Sequence, residues 1–366
     1  MHQAWIDGAP ADLPAAAAAA ARMLDASRQP LIAGLGTDVA GARAATALAQ
    51  RIGAAIDHMN ADALLRNLEV LREAGFMLTT PSETSLRADT LLLVGPGAID
   101  ESSELSRRLL GAAGERDGGR PIERRIFWLC PGRHVGGAGQ IAVIGGEVGD
   151  LPALLATLRA VVNGRPAGRS AVPAPVLQGV ADDLKAARFG VAVWSAADLD
   201  ALTIAMLCGV VDDLNATTRF SGLPLPPPDN AVGVLEVCGW MTGFPMRTGF
   251  GCCRPDHDPW RYRATRLVEN GEADCVVWIS AYRSAAPDWS GESPTIALAP
   301  ADARFTKPPR VHIAVGAPGR DHDGIEHLPM IGTLAAVAAT DRSEALSVAA
   351  AIAAIVTHLA DGPPSC

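Results

Sequence analysis

Short apolar runs alternate with amphipathic stretches along most of the chain, and their spacing predicts strands interleaved with helices. Asp12 can cap an alanine-rich helix running to Leu24, Pro30 ends that segment, and Leu31-Ile32-Ala33 follows as a buried strand. After Gly34-Leu35-Gly36, Thr37 or Asp38 can cap a helix with Ala45, Leu48, Ala49 and Ile52 on one face, and Gly53 can stop it. A helix around Leu64, Leu68 and Leu71 closes at Gly75, and Thr80-Pro81-Ser82-Glu83 has the form of a capping box with proline in the first turn. Strands are expected at Thr90 to Val94, Arg125 to Leu129 and Gln140 to Ile144, followed by a helix from Asp150 to Val162. Farther on, strands at Phe189 to Trp194, Cys275 to Ile279 and Val311 to Val315 alternate with helices at Asp198 to Asp213 and Ala264 to Asn270. A terminal helix aligns Val348, Ile352, Ile355 and Leu359. Such alternation implies an α/β fold with parallel sheets.

The pattern breaks between Asn163 and Val176, where Gly164, Pro166, Gly168, Pro173 and Pro175 cluster, and a domain boundary is expected there. Pro224 to Pro228 is an extended loop, because proline cannot be accommodated inside a helix at this density.

Composition then narrows the function classes. A chain of 366 residues with 49% hydrophobic and 19% charged residues can bury a large core, enough for two domains. Its net charge of -9 argues against a nucleic-acid partner, which calls for a basic stripe. The apolar runs are short or alanine-rich, so neither a secretory signal nor a membrane span is expected, and the cytoplasm is the expected compartment. Seven irregularly spaced cysteines, the first at Cys130, fit reduced and buried thiols better than a disulfide framework.

Candidate chemistry is sparse. Gly34 and Gly36 after a strand could cradle a pyrophosphate, but Val39 stands where the third glycine of a dinucleotide fingerprint belongs, so a tight turn is the better reading. His322, His327 and the acids Asp321, Asp323 and Glu326 are metal-ligand types, yet the histidine spacing does not align them on a helix, and a polar loop is expected. Cys252-Cys253 beside His257 lacks the spacer of a Cys-x-x-Cys site and reads as buried, inert thiols. Arg254, Arg261, Arg263 and Arg266, next to Trp260 and Tyr262, could grip a carboxylate-rich ligand or an acidic partner, or else pair with Asp256, Asp258, Glu269 and Glu272. Of these, Arg254, Arg261 and Arg263 are the cofactor-binding candidates. No catalytic residue and no metal ligand is assigned.

Several segments resemble a known scaffold. Pro30 to Gly34, Leu48 to Asp57 and Arg87 to Gly95 look like the molybdopterin oxidoreductases, and more specifically like the B subunit of formylmethanofuran dehydrogenase. Trp240 to Pro245, Asn270 to Asp274 and Asp323 to Glu326 sit in the order found in that family. The resemblance implies two Rossmann-like parallel-sheet domains, a discontinuous one from residues 1–58 and 176–366 and an inserted one from 59–175. It also implies that the family's iron-sulfur domain is missing. In that family a cysteine or selenocysteine ligates molybdenum or tungsten, whereas His58-Met59-Asn60-Ala61-Asp62-Ala63 offers no thiolate and only Asp62 as a carboxylate. A chain of this kind resembles the B subunits of bacterial formyltransferase/hydrolase complexes. That implies a non-catalytic structural component without molybdopterin or iron-sulfur cluster, assembled with an amidohydrolase-like A subunit, a C subunit and a formyl-transferring D subunit. The complex would convert formyl-tetrahydromethanopterin to formate through a methanofuran-type carrier. The alternatives are an active formylmethanofuran dehydrogenase component using Asp62 as metal ligand, and an unrelated nucleotide-binding protein using Gly34 and Gly36.

Overall fold

The computed structural model describes residues 4–99, 103–111, 115–116, 120–121, 123–132, 141–252, 254–284, 286–287, 289 and 292–360. The chain opens with strands β1 (Ala4–Ile6) and β2 (Ala9–Ala11), helix α1 (Leu13–Ala26), β3 (Pro30–Gly36), α2 (Val39–Ile52) and β4 (Ala55–Ile56). It continues with α3 (Ala61–Ala74), α4 (Pro81–Arg87), β5 (Thr90–Val94), α5 (Glu104–Leu110), β6 (Glu115–Arg116), β7 (Arg120–Pro121), β8 (Arg125–Leu129) and β9 (Ile141–Ile144). Next come α6 (Leu151–Val162), α7 (Ala174–Lys185), β10 (Gly190–Trp194), α8 (Ala201–Leu214), β11 (Phe220–Pro224), α9 (Ala231–Thr242), β12 (Thr248–Gly249), β13 (Asp256–His257) and α10 (Ala264–Glu269). The last elements are β14 (Cys275–Ser280), β15 (Thr295–Ala299), β16 (Val311–Ala314), β17 (Gly324–Leu328), β18 (Thr333–Val337) and α11 (Val348–Val356).

These elements form two compact units, one of Met1–Ala61, Pro228–His327 and Leu334–Cys366, the other of Asp62–Pro227 and Leu328–Thr333. The boundary expected near residues 163–176 is therefore corrected to Pro227/Pro228. The glycine- and proline-rich stretch only turns the chain between α6 and α7, and β10 beyond it pairs in parallel with β5 of the same unit.

The second unit's sheet runs in the order β11-β10-β5-β8-β9 with every pairing parallel. Successive side chains of a strand point to opposite faces, and the core divides accordingly. Leu92, Val94, Phe127, Leu129, Ala192 and Trp194 pack on one side with Leu155, Leu158, Leu207 and Leu214. Leu91, Leu93, Ile126, Trp128, Val191 and Val193 pack on the other with Leu105 and Leu109. Burial on both faces is why these strands read as unbroken apolar runs.

The first unit's sheet has the order β13-β12-β4-β3-β14-β15-β16-β1-β2. Its centre, β4-β3-β14-β15-β16, is parallel, but both margins are antiparallel. At one margin Asp7 and Gly8, both at positive φ (51° and 81°), close the β1–β2 hairpin. Helix starts follow local chemistry as expected: the side chains of Asp12, Asp38 and Thr80 accept from Ala15, Gly41 and Glu83 backbone N–H. The Thr80 box is only half formed, since Glu83 turns to Thr79, Arg87 and Arg219 instead of back to the cap.

Candidate functional site

In an open α/β sheet the ligand crevice lies beyond the carboxyl ends of the strands, where the strand order reverses. In the first unit that point lies between β3 and β14: from β3 the chain adds β4 on one side and β14 to β16 on the other. The turn after β3 is not built for phosphate. A Cβ at Gly34 would lie 2.4 Å from the Ile279 carbonyl oxygen, so glycine is needed there for β3 to approach β14. A Cβ at Gly36 would meet Met59 Cε at 3.1 Å and Asp229 Cβ at 3.5 Å, so the turn packs closely against these side chains. Asp38 caps α2 with its own carboxylate, Oδ1 accepting from Gly41 N at 2.9 Å, which places negative charge at the helix end an anion would use.

The loop after β4 contributes Asp57, His58, Met59 and Asn60, and the turn before α9 contributes Asp229 and Asn230. His58 is buried, its Nδ1 accepting from Asn60 N at 2.9 Å, so the proton sits on Nε2, which donates to the Asp229 carbonyl at 3.2 Å. Burial brings its pKa down to about 4, which keeps the ring neutral. The Asp229 side chain is only 4% exposed and receives Arg283 Nη2 at 2.5 Å and Asn60 Nδ2 at 3.1 Å. Arg283 also reaches Met59 Sδ at 3.4 Å. Asn230 donates from Nδ2 to the Thr37 carbonyl at 2.8 Å and accepts from His327 N at 2.9 Å. Asp229 and Asn230 both take left-handed backbone (φ 60° and 55°), tolerable for Asp and Asn because their short polar side chains bond locally. Nearby, Asp57 holds Arg247 Nε at 3.3 Å and Ala264 N at 2.8 Å, a buried pair that ties β4 to the segment before α10.

At this point the chain's own side chains bond to one another, His58 and the Asp229 side chain buried and Arg283 exposed. The residues there do not fit a molybdenum or tungsten pterin: they include no thiolate, and their carboxylates are committed to arginine, amide and backbone donors. Asp62 stands in the first turn of α3. Among the described residues no three His, Cys, Asp or Glu side chains converge as a metal site. Burial and the Asp38 charge leave both Tyr282 and Glu326 harder to ionise; the neighbouring Glu326 raises the phenol further, whereas Tyr282 opposes the rise at Glu326. Neither Tyr282 Oη nor Glu326 Oε1 meets a partner in hydrogen-bond geometry.

The other candidates separate. Asp321 pairs with Arg320 at 2.8 Å and Asp323 with Arg342 at 2.6 Å, His322 Nδ1 bonds to the Asp323 carbonyl and the His327 backbone N–H donates to Asn230, while His322 Nε2 and Glu326 Oε1 meet no partner, so this run is a polar segment whose acids are mostly paired rather than a convergent ligand set. Cys130, Cys208, Cys238 and Cys275 are buried and their thiols pushed up to between about 11 and about 12, chiefly by desolvation. Cys252 is a correction: it is exposed, because it sits in a turn beyond the end of β12, and Cys253 lies outside the described residues. Arg254, Arg261 and Arg263 are all exposed. Arg261 faces Asp256 at 3.6 Å and lies over Tyr262, whereas Arg266 grips Glu272 through both terminal nitrogens and lies over Trp260. Asp258 instead closes a turn, accepting from Trp260 N and Arg261 N.

Asp229, Asn230 and Arg283 were not legible as a site. The signal available was Pro226-Pro227-Pro228-Asp229-Asn230, an extended run delivered into two residues that accept left-handed backbone.

No protein-family profile matches the chain. It is 34% identical over 360 residues to the B subunit of the formyltransferase/hydrolase complex Fhc of Methylorubrum extorquens, covering 98% of this chain and 97% of that protein. It is 27% identical over 281 residues to the B subunit of the tungsten-containing formylmethanofuran dehydrogenase 2 of Methanocaldococcus jannaschii, covering 71% of this chain and 62% of that one. A chain in the crystal structure of the M. extorquens FhcABCD complex, solved with methylofuran, superposes with a TM-score of 0.86 at 34% identity, over 96% of this chain and 97% of that chain.

Proposed function

The chain belongs to the family of the B subunits of formyltransferase/hydrolase complexes, and on that footing we propose that it is the non-catalytic, architectural component of such a complex. The assembly converts formyl-tetrahydromethanopterin to formate by way of a methanofuran-type carrier. An amidohydrolase-like A subunit, a C subunit and a formyl-transferring D subunit supply the chemistry and the remaining architecture. The two sheets are read as Rossmann-like, and the compartment as the cytoplasm; no helix among the described residues is long and apolar enough to cross a membrane. One observation supports the non-catalytic half of this reading: at the point where an α/β scaffold of this order would hold its cofactor, His58, Met59, Asp229 and Arg283 are paired with one another or with backbone and offer no thiolate. Molybdopterin and an iron-sulfur cluster are accordingly not part of the proposed component.

The test is the purified complex. Formate release from formyl-tetrahydromethanopterin should persist with His58→Gln or Asp229→Asn once activity is normalised to assembled complex, and elemental analysis should find molybdenum and tungsten far below one per chain. Stoichiometric metal, or formate release that collapses in an assembled Asp229→Asn complex, refutes the proposal. The similarity to a tungsten-containing dehydrogenase favours the second reading, a metal-dependent component, and the same elemental analysis decides between them.

A further inference from the structure

Building on the complex membership proposed above, we propose that the surface around Trp240, Met241, Phe244 and Trp260, with its fringe of arginines, is where this chain docks on a neighbouring protein of its complex. The contact presented by that neighbour is apolar at its centre and lined with carboxylates.

Three observations carry this. The first is exposure: Trp240 is 65%, Met241 41%, Phe244 39% and Trp260 70% exposed, and the two tryptophans and Phe244 are the only large aromatic side chains so exposed among the described residues. Isolated exposed aliphatics are ordinary on a protein surface, but clustered Trp, Phe and Met mark contacts. The second is local order. Gly239, Trp240 and Met241 in the last turn of α9 are all exposed, and Gly243 (φ 80°) turns the chain so that Phe244 stacks on His257 at 6.0 Å and 16°. His257 belongs to β13, the outermost strand of its sheet, and Trp260 follows in the turn that Asp258 closes, with Arg266 at 4.4 Å over its ring. The patch is thus held in place before any partner arrives, which lowers the ordering cost of association. The third is charge. Residues 240–266 hold five arginines against two aspartates and no lysine, a local positive excess in a chain of net charge -9. Arg247 and Arg266 reach Asp57 and Glu272, while Arg254, Arg261 and Arg263 are exposed, Arg261 lying over the Tyr262 ring and facing Asp256 at 3.6 Å. Arginine beside tryptophan, with its planar fork suited to carboxylates, fits an acidic protein surface.

The experiment is co-expression of the full chain with the other proteins of its complex, read by native mass spectrometry and by hydrogen exchange. On assembly, amides of 239–245 and 256–262 should become protected. Trp240→Ser combined with Trp260→Ser should weaken assembly at least about 100-fold, the loss expected from two central anchors. Arg254→Glu with Arg261→Glu should slow association about tenfold and reduce its salt dependence. Leu202→Ser, an exposed aliphatic position on α8, should leave assembly unchanged. Full assembly of the double tryptophan variant, or unchanged exchange at 239–245 and 256–262 in the unaltered complex, overturns the surface while complex membership stands. Failure of the unaltered chain to assemble overturns both.

Discussion

The crevice beyond β3, β4 and β14 and the patch around Trp240 and Trp260 both belong to the first unit, and they place polarity in opposite ways. In the crevice the polar groups bond to one another: His58 and the Asp229 side chain are buried, Asn60 and Asn230 half-buried, and Arg283 closes the set from an exposed position. At the patch the apolar groups face solvent, and the same stretch of chain carries exposed arginines. A catalytic pocket calls for apolar walls with a few convergent polar groups left available. Polar groups tied to one another inside and apolar groups left at the surface is the distribution that the proposed architectural role calls for.

The comparison can be broken most forcefully at the buried pair. Arg247→Ala takes the guanidinium away from the buried Asp57 carboxylate and should cost about 3–5 kcal/mol in urea unfolding. A loss below about 1 kcal/mol would mean that solvent reaches Asp57 and that the region is not closed.

Acid is the next lever. The unfolded chain binds a proton at His58 near pH 6.5, whereas the folded chain does so only at about 4. The unfolded state therefore gains protons first, and the stability associated with the neutral ring is intact above about pH 6.5 and lost as pH falls toward about 4. The loss should amount to about 3 kcal/mol by linkage, and His58→Gln should flatten that part of the pH-stability curve. An unchanged curve would show that the ring is hydrated.

Asn230→Ala removes the bonds to Thr37 and His327 and puts a poorly suited residue at φ 55°, so about 2 kcal/mol should be lost; Asn230→Gly, which relieves the backbone but not the bonds, should lose less. At the small end, Trp240→Ser with Trp260→Ser should shift the stability of the isolated chain by no more than about 0.5 kcal/mol, since exposed side chains contribute little to folding. A larger loss would recast the patch as part of the core.

Much of the local fold was legible because it depends on near neighbours. Caps at Asp12, Asp38 and Thr80 and the runs Thr90–Val94 and Cys275–Ser280 are set by a few adjacent residues. Pairing is different. Whether β10 joins the first or the second sheet depends on its register with β5, about a hundred residues earlier, and no periodicity encodes a partner. That is why composition points to a boundary at a turn rich in glycine and proline, whereas the units part at Pro227/Pro228. The three-residue strands β1 and β2 are too short for alternation to register, although Asp7-Gly8 marks their turn. The crevice cluster escapes for the same reason as the pairing: His58 and Asp229 stand 171 positions apart, and nothing near either one announces the other. The absent thiolate, by contrast, is visible directly, being a matter of which residue types occur where.

The back-to-back left-handed residues Asp229 and Asn230 also bear on how readily this region could be altered. Because each partner in that knot bonds to the next and His58 and the Asp229 side chain are buried, exchanging any one alone strands another. Making room there for a bulky prosthetic group would therefore demand several coordinated exchanges at once.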